Sequence, residues 1–173
     1  MDKYNFLALA KERYSCRKYK PEAVPGELMD CLLEAALAAP TGCNLQPWRI
    51  MVINSKEGLD KVKACTPYSF GAPCVLAVLA CGSEGWTRKY DGKSCRVIDA
   101  AIVATHIVLA AASLGLGTCW VMSFDPARFS EDFITDKDLE PVALIPLGFP
   151  AEDAVPSGAH RTVRDLKELV SCR

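Results

Sequence analysis

Two periods of hydrophobic and polar residues alternate along this chain, and their succession predicts its elements. Residues 3–14 carry Phe6, Leu7, Leu9 and Ala10 at helical spacing, and residues 15–23 read as an extended segment ending near Pro21. Pro25 suits a first helical position, and residues 27–38 continue as a helix through Leu28, Leu32, Leu33 and Leu37 until Pro40 and Gly42 break it. Residues 48–54 form a β-rich run, Ser55 caps a short helix reaching Cys65, and residues 66–73 are loop. Residues 74–81 are continuously apolar, the mark of a central strand covered on both faces. Residues 82–94 are polar with Trp86 and Tyr90, and are expected to form a mobile lid. A long helix is predicted over residues 96–114 with Gly115 as its C-cap, then a strand over 117–122. Asp125 caps a helix through Phe133, residues 142–147 form a strand stopped by Gly148 and Pro150, 151–159 are loop, and 161–170 form a last short helix. There are no repeats and no long linker, so residues 1–173 are expected to make a single domain. The uneven alternation predicts α+β or mixed α/β, with helices on both faces of a small sheet.

Composition removes several classes of function. Twenty basic residues against 21 acidic ones leave no basic excess for a nucleic-acid partner. The apolar stretch 97–116 is interrupted by Asp99, Thr105, His106 and Ser113, so it reads as a buried helix and no membrane span is expected. His106 reads as a core or interface residue. The nine cysteines contain no Cys-x-x-Cys pair and mostly sit in apolar runs. They read as small buried hydrophobes in a reducing compartment, with no metal site; Cys172 is the candidate for an exposed thiol. Met1, Asp2, Lys3 and Tyr4 lead directly into an amphipathic stretch without a secretory pattern, so a cytoplasmic location is expected. No Gly-x-Gly-x-x-Gly follows a strand, and no phosphate-loop motif is present.

Chemistry concentrates in two polar motifs. In Arg13-Tyr14-Ser15-Cys16-Arg17, the two guanidiniums and the hydroxyl lie on alternate residues and share one face if the segment is extended. That set suits a phosphate or an electron-rich ring edge; a solvated helix terminus would also account for the arginines. In Pro40-Thr41-Gly42-Cys43-Asn44-Leu45-Gln46-Pro47-Trp48, Gly42 permits close approach of backbone to a ligand, and Asn44 and Gln46 are again two apart. An ordinary polar turn before a strand is the alternative for this segment.

The two motifs in this order resemble the N-terminal half of the nitroreductase family. Gly115-Leu116-Gly117-Thr118-Cys119-Trp120 after an Ala-rich helix, and Pro146-Leu147-Gly148-Phe149-Pro150 followed by Arg161, extend the likeness over nearly the whole chain. The resemblance implies an α+β nitroreductase-like fold, with a mixed, mainly antiparallel sheet flanked by helices. It implies a homodimer with FMN at the subunit interface and a ping-pong oxidoreductase. NADH or NADPH would supply the hydride to FMN N5, and a small-molecule acceptor such as a nitroaromatic or quinone would take it up. Under the same resemblance, Arg13 and Ser15 match residues on the phosphate and ribityl end, and Arg17 the one at the pyrimidine ring. Pro40, Thr41, Gly42, Asn44 and Gln46 match the segment that reaches FMN from the partner. Trp120, Val121, Met122 and Ser123 match the strand along the ring system, and Arg161 a C-terminal phosphate ligand, with His160 and Arg164 as further candidates. No side-chain acid or base is required, because the chemistry is the flavin's. Tyr68, Trp86, Tyr90 and Phe124 are candidate pocket walls. Residues 66–73 lack the Lys or Arg that many relatives place near the pyrimidine, which leaves a reduced flavin to Arg17 and backbone dipoles, and the chain is short for the family, which implies a more open or smaller pocket. Specialised members that dehalogenate, oxidise rings or fragment flavin, and a non-catalytic flavin-binding redox module, are the alternative readings.

Overall fold

A computed structural model describes residues 6–173. Four strands, β1 (Trp48–Ile53), β2 (Cys74–Cys81), β3 (Gly117–Thr118) and β4 (Leu139–Gly148), form one sheet in the order β1-β2-β4-β3, with every neighbouring pair antiparallel. Among the described residues, six helices surround it: α1 (Phe6–Glu12), α2 (Gly26–Leu37), α3 (Lys56–Cys65), α4 (Arg96–Ser113), α5 (Pro126–Phe133) and α6 (Leu166–Leu169).

Side chains of successive strand residues point to opposite faces, and β2 is buried throughout. Cys74, Leu76, Val78 and Ala80 pack with Leu32 and Ala36 of α2 and Val103 and Ile107 of α4. Val75, Ala77 and Leu79 pack on the other face with Val62 of α3 and Phe129 of α5. The sheet is therefore the middle of three layers. Each fully buried Leu or Val contributes about 1.5–3 kcal/mol, which accounts for the unbroken apolar run of β2. The helix starts follow local chemistry. Ser55 accepts the Gly58 N–H at the head of α3, and Asp125 accepts the Ala127 and Arg128 N–H groups at the head of α5.

Four segments depart from the pattern reading. The expected strand 117–122 forms a ladder only at Gly117–Thr118 and again as an isolated bridge at Val121. The register with β4 is unchanged across the gap; Cys119 still donates to the Pro146 carbonyl at 3.3 Å, but proline has no N–H to return the bond. β4 begins three residues earlier than expected, taking in Pro141 beside a register shift at Val78/Leu79. Residues 82–94, expected as a polar loop, close as a hairpin. Thr87 bridges Ser94, Arg88 and Lys93 are joined through their backbones at 2.9 Å, and the Arg88 side chain binds Asp91. The expected helix over 161–170 shrinks to α6, preceded by a 3-10 turn at Gly158–Arg161. This segment is exposed throughout, so no buried face extends it past the β-branched Thr162 and Val163. The first part of the helix expected over 3–14 lies outside the described residues; the rest is α1.

Candidate functional site

The first motif leaves α1 as extended chain and docks on the free edge of β3. The Cys16 N–H donates to the Thr118 carbonyl at 2.8 Å, and Ser15 forms a parallel bridge with Thr118. Farther along, Lys20 donates to Phe149 at 2.8 Å and Ala151 to Lys18 at 3.1 Å. The Tyr19 hydroxyl reaches the Cys16 carbonyl at 2.8 Å. Cys16 is wholly buried against Gly117, where a Cβ would lie 2.7 Å from its sulfur. With Cys16 turned inward, Ser15 and Arg17 take the opposite side of the extended segment. Ser15 and Arg13 are half-buried and Arg17 is exposed, its Nη1 resting on the Ser15 carbonyl at 3.2 Å. Burial pushes the Cys119 thiol up, and the positive charge of Arg17 with the Ser15 hydroxyl and Arg13 opposes it.

Arg13 also opens onto a cleft of about 730 Å³ shared with Lys11, Glu12, Tyr14, His160 and Arg161. His160 holds this corner closed, its Nε2 lying 3.1 Å from the Lys11 carbonyl and its ring edge-on to Tyr14. Three cationic side chains against the single carboxylate of Glu12 leave this concave place positive, which suits a phosphate. Arg161 lines the same cleft. Arg164 does not line the cleft, and it pairs with Glu168 at 2.9 Å. Lys11 is the member that the motif reading missed; only its position two residues before Arg13 points to it.

The second motif forms a tight, exposed turn ahead of β1. Thr41 Oγ1 accepts the Gln46 N–H at 3.1 Å, and Gln46 Nε2 donates to Asn44 Oδ1 at 3.3 Å. Cys43, Asn44 and Gln46 all adopt positive φ, between 51° and 55°. Each such residue costs on the order of 1–3 kcal/mol, so the surroundings must hold the turn. They do so through Gly42, whose N–H donates to Asp99 Oδ1 at 3.0 Å. A Cβ at Gly42 would come within 2.7 Å of Cys95 Sγ.

The two motifs lie at opposite ends of α4. Arg13 borders a cavity of about 190 Å³ with Ala112 and Gly115 at the C-terminal end, whereas Gly42 contacts Cys95 and Asp99 at the N-terminal end. At about 1.5 Å per residue, Ala112 and Asp99 are about 20 Å apart. Val97 and Ile98 on this helix are exposed, although α4 buries seven residues in the core.

Beyond β3, Val121 is buried and exchanges both backbone hydrogen bonds with Leu144. The Trp120 and Met122 N–H groups point to the opposite, free edge, without a backbone acceptor among the described residues. Trp120 is half-buried; Met122 and Ser123 are exposed, and the Ser123 carbonyl accepts the Thr66 hydroxyl at 2.6 Å. The four aromatic candidates are not brought together. Tyr68 stands close by through that Thr66 bond. Phe124 packs edge-on against Phe129 and belongs to the second core. Trp86 sits by Gly42, and Tyr90 is 98% exposed, which leaves it no wall to form within this subunit.

A nitroreductase family model matches residues 10–67 and 63–149. A protein of Methanothermobacter thermautotrophicus named as an NADH dehydrogenase/NAD(P)H nitroreductase is 34% identical, over 88% of this chain and 81% of its own. Among solved structures, a nitroreductase family protein from Clostridium difficile is 37% identical and superposes with a TM-score of 0.91, covering 97% of this chain and 98% of its own. A nitroreductase-like protein from Exiguobacterium sibiricum, described in complex with FMN, shares the fold at a TM-score of 0.83 and 21% identity, covering 100% and 99%. With the family model spanning most of the sequence and these relatives aligned along nearly all of it, the chain belongs to the nitroreductase family.

Proposed function

We propose that this chain is the one-domain subunit of a homodimeric, FMN-dependent NAD(P)H oxidoreductase. The observation that carries the reading is the placement of the two polar motifs at opposite ends of α4. One subunit cannot close both around the same end of a ligand. A two-fold axis that packs α4 antiparallel on its partner would bring Arg13–Arg17 of one subunit to the partner's Asn44 and Gln46. The exposed Val97 and Ile98 supply apolar surface for that contact.

The residues present fit FMN. Arg13, Arg161 and Lys11 outnumber Glu12 in a cleft suited to its phosphate, and Ser15 follows Arg13 in the extended segment that leads away from it. Arg17 is free to carry positive charge toward the pyrimidine edge, where preorganised donors stabilise developing negative charge. The outward N–H groups of Trp120 and Met122 offer fixed donors along a flat ring. When bound, FMN supplies the chemistry, taking hydride at N5 from NADH or NADPH and passing electrons to a nitroaromatic, quinone or related acceptor. The protein's part is to bind, orient and polarise. Neither histidine is placed as an acid or base for that chemistry: His160 is engaged with the Lys11 carbonyl, and His106 with the Ile102 carbonyl inside α4.

The test is the visible spectrum of the purified protein, followed by NADH and NADPH without oxygen. Flavin bands that bleach on addition support the reading. A protein that is colourless and takes up no added FMN overturns it. Bands that persist with both donors leave a flavin-binding module and refute the oxidoreductase.

A further inference from the structure

We infer that Asp99 is a positioning residue for flavin binding, holding the turn that presents Asn44 and Gln46. The inference rests on the proposed FMN site, in which those amides serve the partner subunit.

Asp99 is a carboxylate only 3% exposed, in the first turn of an otherwise apolar helix. Among the described residues no cation is paired with it. Its partners are two neutral donors: the Gly42 N–H at 3.0 Å to Oδ1, and the Cys95 thiol at 2.9 Å to Oδ2. The positive end of the α4 macrodipole favours the negative charge there. A buried carboxylate is costly unless its acceptors are used, and Asp99 uses them to fasten a segment 57 positions away in sequence. What it fastens is not core. Residues 43–46 are exposed, and three of them hold positive φ without being glycine. The turn's own bonds, Thr41 to Gln46 and Gln46 to Asn44, fix its internal shape. Among the described residues, the Gly42–Asp99 bond and the tight seat of Gly42 against Cys95 fix that shape to the head of the helix. Without Asp99 the turn can keep its shape yet lose its place relative to α4, and with it relative to a site built across a two-fold axis along that helix.

The test is FMN titration of the apo-protein by flavin fluorescence, with wild type, Asp99→Asn, Asp99→Ala and Arg13→Ala. Asp99→Asn keeps an oxygen for the Gly42 N–H and is expected within about threefold of wild type, whereas Asp99→Ala is expected to raise Kd about tenfold or more. Equal Kd for Asp99→Ala and wild type, with Arg13→Ala weakened, overturns the inference and leaves the FMN site standing. Failure of wild type to bind FMN overturns the site reading itself. Should Asp99→Ala not fold, hydrogen exchange in the wild type decides: slow exchange of the Gly42 amide supports the clamp, and exchange as fast as that of the neighbouring exposed Cys43 amide refutes it.

Discussion

The Cys16 backbone N–H donates to the Thr118 carbonyl at 2.8 Å, and that bond seats the first polar motif on the sheet edge. It is possible only because Gly117, next to Thr118, has no side chain. A Cβ there would lie 2.7 Å from Cys16 Sγ, 2.8 Å from Cys16 Cβ and 3.2 Å from Pro150. Gly117→Ala is therefore expected to push the 13–17 segment off β3. Overpacking of this kind costs about 1–3 kcal/mol. Urea unfolding of the apo-protein should show the loss, and FMN affinity should fall with it. A variant with unchanged midpoint and unchanged affinity would show that the close seat does not matter.

Phe129 anchors the second core from α5. It is fully buried, stacked on Phe133 with centroids 4.7 Å apart and edge-on to Phe124 at 6.1 Å. Phe129→Ala is expected to cost about 3–5 kcal/mol of stability. The cationic cleft at Arg13 and Arg161 lies elsewhere, so protein that still folds at low temperature should retain FMN. Denaturant midpoint and FMN stoichiometry, measured on the same preparation, separate the two effects.

How far the sequence announces this arrangement depends on whether a residue's partner is local. The apolar run of β2 is legible because burial on both faces leaves no polar position in it. The caps at Ser55 and Asp125 are legible because each binds an N–H within three residues. The break in the strand after Thr118 is not, since its cause, Pro146, lies on another strand. Nor is the place of Asp99. As sequence it is only a polar interruption of an apolar helix, and its partner Gly42 is far away in the chain. In the site itself, alternation picks out Arg13, Ser15 and Arg17. It does not reveal that the second motif lies at the other end of α4.

Asp138 ties the 82–94 hairpin to the start of β4. Its Oδ2 accepts the Ser83 hydroxyl at 2.6 Å, the Ser83 N–H at 2.9 Å and the Cys81 thiol at 3.1 Å. These donors, the Ser83 hydroxyl foremost, lower the carboxyl from its ordinary 3.8 to about 2. A carboxyl lowered on folding binds fewer protons in the folded state. Its stabilisation is thus present above about pH 4 and drains away as pH falls toward 2. Asp138→Asn should flatten the acid limb of the stability curve in that window and leave its shape near neutrality unchanged. Parallel acid limbs for variant and wild type would contradict this role.

Arg17 is the exposed cation of the first motif, and its Nη1 rests on the Ser15 carbonyl. Its removal should leave the fold intact, because surface substitutions that break no buried partner usually change stability by about 0.5 kcal/mol or less. Flavin binding or reduction should suffer instead. Arg17→Ala is expected to lower the rate of anaerobic flavin bleaching by NADH or NADPH, or to release FMN on dilution. If affinity and reduction are both unchanged, Arg17 has no part in the site.

The separation of the motifs along α4 permits a direct genetic test of the dimer. Arg13→Ala and Asn44→Ala homodimers should each bind FMN poorly, since every site would lack one element. In a mixed dimer the two defects fall on the same site if Arg13 of one subunit works with the partner's Asn44. The other site is then intact, and the mixed dimer should bind about half the wild-type FMN, as a two-fold interface requires. If instead both residues served a ligand within one subunit, each site of the mixed dimer would carry one defect and none would recover. Differently tagged subunits purified through both tags, followed by FMN stoichiometry from the absorption spectrum, distinguish these outcomes. The about 20 Å between the Asp99 and Ala112 ends of α4 makes recovery the expected result.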